Sequence, residues 1–99
     1  MAAVDNVTLK RWRELDAIVV LAALAAHIKQ DRTFQPTISH QSTRWNVHAA
    51  GRDWELLRTG PKFWDTRTER GGGGAIDLAM YLYRLSFKAA VSLLREKGL

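Results

Sequence analysis

Arg70-Gly71-Gly72-Gly73-Gly74-Ala75-Ile76-Asp77-Leu78-Ala79-Met80-Tyr81-Leu82 is the stretch around which the rest of the chain is organised. Four consecutive glycines run directly into apolar residues spaced three and four apart, so a backbone free to take positive φ stands where a helix must begin. A flexible linker would carry polar residues, but only Arg70 precedes the run, and Ile76, Leu78, Ala79 and Leu82 follow it. The segment 67–74 therefore reads as a shaped, close-approach turn between packed elements. Asp77, one turn into the helix, can stabilise the helix dipole or accept from N–H groups of the glycine turn.

Working outward, the helix after the glycines is expected to reach about Tyr83, with Arg84-Leu85 as a corner. Ser86 then caps a second helix, on which Phe87, Ala90, Val91 and Leu94 share a face, and Gly98 stops it. On the other side of the glycines the period changes to two. Arg44–His48, Trp54–Arg58 and Lys62–Thr66 read as short strands separated by turn-forming residues at 49–53 and 59–61, an antiparallel meander over 44–66. The segment 31–43 is irregular and polar, with Phe34 and Ile38 as its anchors. Before it, Asp5-Asn6 or Thr8 can cap a helix over 7–30 that carries Leu9, Trp12, Leu15, Ile18, Val19, Ala22 and Ala26. The expected fold is α+β: one domain over 1–99, a three- to four-stranded antiparallel meander flanked by an N-terminal helix and two C-terminal helices.

Composition narrows the function. Fifteen Lys and Arg against ten acids give a net charge of +5, which favours an anionic partner, nucleic acid being the commonest. With no cysteine, disulfides and thiolate zinc sites are excluded, and His27, His40 and His48 share no metal-ligand spacing, so no metal and no cofactor are expected. The N-terminus lacks the basic-then-apolar order of a signal peptide, and the longest apolar run, Ala17–Ala26, is about half of what a membrane span needs. A cytoplasmic protein with no membrane partner is the expectation.

The strand region interleaves Arg44, Trp45, His48, Arg52, Trp54, Arg58, Lys62, Trp64, Arg67 and Arg70. Cations neutralise phosphates and flat aromatic faces stack on unpaired bases, so these ten residues form a candidate nucleic-acid surface. The competing reading is that tryptophans fill the core, although a domain this small seldom has room for all of them. For the glycines, a phosphate loop is disfavoured because the Lys-Ser/Thr that ends one is replaced by Ala75-Ile76. A strand-to-helix turn and a nucleic-acid backbone contact both remain open. Asp53, Glu55, Asp65 and Glu69 form no D-x-D pair for metal-dependent phosphoryl chemistry, and Ser39, His40 and Ser42 lie in a polar loop with no nucleophile elbow. The chain is thus expected to be no enzyme.

Lys62-Phe63-Trp64-Asp65, the run Gly71 to Leu82, and Ser86-Phe87-Lys88-Ala89-Ala90-Val91-Ser92-Leu93-Leu94 together resemble the C-terminal half of the zinc-finger-like domain of bacterial replicative primases. The likeness is closer to the cysteine-free form at the front of toprim-containing plasmid and mobile-element primases and of relaxase-linked proteins. It covers about 44–95 well and the N-terminal helix loosely. It implies a zinc-ribbon-like sheet, here without zinc, that engages single-stranded DNA as a non-catalytic template-binding module in DNA replication or mobilisation. Primase activity would lie in a separate domain or partner, and a primase, DNA polymerase, helicase or relaxase is the implied protein partner. In zinc-binding members a thiolate pair stands just before the glycine turn; Asp65–Arg70 holds neither Cys nor His, so packing must replace the metal. Burying one large aromatic stabilises by about 2–3 kcal/mol. A different class remains in view: an adaptor that docks on a polymerase, helicase or relaxase through the Ala/Leu-rich N-terminal helix.

Overall fold

The structure is a computed structural model and describes residues 4–36 and 41–99. Ile38, Ser39 and His40, assigned above to the polar loop, lie outside the described residues. Two helices, α1 (Asn6–Glu14) and α2 (Ala17–Leu24), lead into five strands, β1 (His27–Asp31), β2 (Thr43–Ala49), β3 (Arg52–Thr59), β4 (Lys62–Asp65) and β5 (Arg70–Gly73). Helices α3 (Ala75–Tyr83) and α4 (Phe87–Glu96) complete the chain. The strands form one antiparallel sheet in the order β1-β2-β3-β4-β5. The α+β class stands, with five strands in place of three or four.

The expected helix over 7–30 is two helices and a strand. Asp5 caps α1 by accepting from the Thr8 amide at 2.7 Å. The helix ends at Leu15 because Asp16 turns its carboxylate onto the Ile18 amide, 3.0 Å away, and so starts a new helix rather than continuing the old one. The Ala17 amide bonds the Gly60 carbonyl at 2.9 Å, which pins the start of α2 to the β3–β4 turn. Residues 27–31 include helix formers, yet they pair along β2 from His27↔His48 to Asp31↔Arg44. Edge pairing on an existing sheet outweighs propensity here.

The expected glycine turn over 67–74 is also corrected. Arg70–Gly73 is a strand paired with β4, Trp64 facing Gly71 and Phe63 facing Gly72, and the turn proper is 66–69. Only Gly74, the residue before α3, takes a positive φ in the run, at 93°. Gly71 and Gly72 are required for space. A Cβ at Gly71 would stand 2.5 Å from the Phe63 carbonyl and 2.8 Å from the Trp64 ring, and at Gly72 it would stand 3.2 Å from the Phe63 ring. Asp77 accepts from the Gly73 amide at 3.2 Å.

All four helices lie on one face of the sheet. Trp12, Val20, Leu21 and Leu24 meet Val47, Trp54, Leu56 and Phe63 from the strands and Leu78, Leu82, Val91 and Leu94 from α3 and α4. The two ends of the sheet differ. The β3–β4 turn and the start of α3 share one end, where the Gly74 amide bonds the Pro61 carbonyl at 3.0 Å. The β2–β3 and β4–β5 turns share the other, toward which α3 runs. Among the described residues, no helix is long and apolar enough to cross a membrane.

Candidate nucleic-acid interface

Side chains on a strand alternate between faces, so the register sorts the ten candidates. Val47, Ala49, Leu56 and Phe63 are buried against the helices, and Trp45, Arg52, Trp54 and Arg58 share their parity. Arg70 pairs with Asp65 and belongs to the same side. Arg44, His48, Lys62 and Trp64 point to the opposite face, which no helix covers among the described residues. Arg67 stands in the β4–β5 turn, its Nη1 3.3 Å from the Asp53 carbonyl. The ten residues do not make one surface.

The tryptophans divide accordingly. Trp54 is only 7% exposed, donates through Nε1 to the Ala49 carbonyl at 2.9 Å, and lies 5.5 Å from the Tyr81 ring, so no base can stack on it. Trp45 packs against the core and donates to Thr43 Oγ1 at 2.8 Å. Trp64 is 44% exposed on the open face, its indole lying against Gly71 where no side chain intervenes. The core reading holds for two of the three, and the open-face reading is left with Trp64.

Several cations are committed to acids. Arg58 bonds the Asp16 carboxylate, Nε to Oδ1 at 2.8 Å, under the sheet. That bond, with the Ile18 amide, holds the Asp16 carboxyl below its ordinary range against the cost of burial. Arg44 bonds Asp31 through Nε at 2.9 Å and stands 5.3 Å from the Phe34 ring centroid. The Thr33 hydroxyl and then Arg44 pull Asp31 down to about 2. His48 Nδ1 meets Asp53 at 2.8 Å. Arg58 is therefore withdrawn from the phosphate-contacting set, and Arg44 and His48 reach the open face already paired. Lys62 is exposed beside Trp64.

Around Trp64 the open face carries a groove of about 720 Å³ lined by Phe34, Pro36, Leu57, Lys62, Trp64 and Gly71, among others. Leu57 sits between Arg44 and Trp64 in the register. Phe34, Pro36 and Leu57 were not among the sequence candidates. Leu57 was nonetheless legible, because a strand that buries Leu56 must turn its neighbour outward. No protein-family model, curated protein or solved structure matches this chain.

At the opposite corner, on the helix side, Asp65 is 3% exposed. Burial would raise its pKa, but the Tyr81 hydroxyl at 2.5 Å and the Arg67 and Thr68 amides at 2.9 and 3.5 Å outweigh it and lower the value. Tyr81 is raised, by burial and by donating to that carboxylate. The network anchors the β4–β5 turn to α3.

Proposed function

We propose that the chain is a non-catalytic, cytoplasmic module that binds single-stranded DNA on the open face of its sheet. It would work with a separate primase, DNA polymerase, helicase or relaxase in plasmid or mobile-element replication or mobilisation. One observation carries the reading: an indole 44% exposed lies against a glycine on a face that no helix covers among the described residues, with Lys62 beside it. An exposed aromatic on a sheet face stacks on an unpaired base without regard to sequence, and the net charge of +5 favours the polyanion. Phe34, Pro36 and Leu57 extend the apolar floor on which a neighbouring base or sugar can rest.

The adaptor reading has less surface to work with. Ala17, Val20, Leu21 and Leu24 of α2 face the core, Ile18 and Ala23 are half-buried, and Val19 and Ala22 are exposed.

Anisotropy of a labelled oligothymidylate tests the proposal. Wild-type affinity should fall steeply with added salt, and Trp64→Ala should weaken binding by about 1–3 kcal/mol, the range for loss of one stacked base. Trp64→Phe should retain most of it. No binding at low salt, or full affinity in Trp64→Ala, would sink the reading.

A further inference from the structure

On the helix side, at the end of the sheet that holds the β2–β3 and β4–β5 turns, Arg52, Arg70 and Arg84 line one cleft of about 480 Å³ with Trp54, Thr68 and Tyr81. They come from the start of β3, the start of β5 and the end of α3, so only the tertiary fold brings them together. None of the three is ion-paired among the described residues, unlike Arg44 and Arg58. Arg52 is steadied by the Trp54 ring, with Cζ 4.8 Å from the centroid.

Among the described residues, no carboxylate lines the cleft. Asp65 lies beneath it, already bonded to Tyr81 and to two amides. Since the Tyr81 proton goes to Asp65, Thr68 donates to the Tyr81 oxygen at 2.6 Å, and neither hydroxyl has a proton left for a ligand. The guanidinium groups are the donors on offer. Three like charges around one concavity repel each other and focus a positive potential into it.

The backbone adds an independent observation. Arg84 is in the left-handed region with φ 53°, at the helix C-cap where glycine is the low-cost residue, and Glu69, next to Arg70, has φ 56°. An arginine at such a position is not the choice stability would make.

We propose that this cleft is an anion site that takes a phosphate group, held by the planar forks of Arg52, Arg70 and Arg84. It lies across the sheet from Trp64 and does not depend on what the open face binds. The phosphate can come from the end of a strand or from a free nucleotide.

Titration of the full chain with inorganic pyrophosphate, followed by calorimetry and by amide resonances, tests it. Pyrophosphate should shift the amides of Thr68, Arg70 and Arg84. Arg84→Gly should weaken binding by about tenfold, the equivalent of one charge-assisted hydrogen bond, while folding at least as stably as the wild type because glycine takes φ 53° without strain. Arg70→Ala should act alike. Trp64→Ala should leave pyrophosphate affinity unchanged, so this site and the open face can fail separately. Tighter binding of 5′-phosphorylated than 5′-hydroxyl oligothymidylate would assign the phosphate to a strand end; equal binding with pyrophosphate retained would assign it to a nucleotide. Undiminished pyrophosphate binding in Arg84→Gly, or no shift at these amides, would overturn the proposal.

Discussion

Gly71 and Gly73 lie two positions apart on one edge strand, yet a methyl group would meet different surroundings at each. At Gly71 it would collide with the Phe63 carbonyl and the Trp64 ring, whereas at Gly73 its nearest neighbour is Lys62 Cγ at 3.7 Å. Gly71→Ala is expected to cost about 1–3 kcal/mol through forced displacement of β4, and Gly73→Ala to stay within about 0.5 kcal/mol of wild type. Thermal unfolding of the two variants checks this, since 1 kcal/mol moves the midpoint by about 4–8 °C in a domain of this size. Equal midpoints would mean that the edge strand yields freely. In the sequence the four glycines look alike. Their separate requirements, space at Gly71 and Gly72 and a positive φ at Gly74, appear only once β4 and Arg13 are placed against them.

Asp16 decides where one helix stops and the next begins, and it also receives Arg58 from β3. Asp16→Ala removes the α2 cap and leaves a half-buried guanidinium without its carboxylate. A loss of about 1–2 kcal/mol is expected from the cap alone, read as a lower urea midpoint at unchanged slope. Asp16→Asn keeps a capping oxygen and should recover most of that loss. If Asn and Ala are equally damaging, the charge on Arg58, not the cap, is what Asp16 supplies. This break was hard to read because Lys10 to Ala26 has continuous helix-forming composition, and a single Asp inside it looks like a solvated surface residue. The two C-terminal helices were legible because their limits are local: Ser86 accepts from the Ala89 amide at 3.2 Å, and Gly98 has φ 78°. Strand β1 was not, since its pattern acquires meaning only from β2 beside it.

Asp16, Asp31 and Asp65 tie α2, the β1–β2 corner and the β4–β5 turn to the rest of the molecule, and each carboxyl is held below its ordinary value of 3.8. The folded form therefore binds protons less readily than the unfolded chain. The stability these groups supply is complete above about pH 4 and is lost as pH falls through their folded values, reaching about 2 for Asp31. Growing net positive charge acts in the same direction. Urea midpoints should be level from pH 7 to about 5 and fall below about 4. Asp31→Asn should be less stable than wild type at pH 7 and lose less on acidification, and a fall identical to wild type would remove Asp31 from this account. The candidate surface divided for a reason that belongs to the whole molecule. Composition counts cations and aromatics, while the pleat assigns them to faces, and the register that sets the pleat is a long-range property.

The sheet order β1-β2-β3-β4-β5 bears on how the chain acquires its shape. Each strand finds its partner in its immediate neighbour along the chain, so no pairing has to wait for a distant segment to diffuse in. The hairpins β2–β3 and β3–β4 close over two residues each, Ala50-Gly51 and Gly60-Pro61. Loop-closure entropy is smallest there and grows slowly toward the longer β1–β2 connection. Local topology of this kind goes with rapid assembly and brief exposure of unpaired strand edges. The glycine strand, with three side chains missing of four, draws its place from β4, to which a four-residue turn joins it.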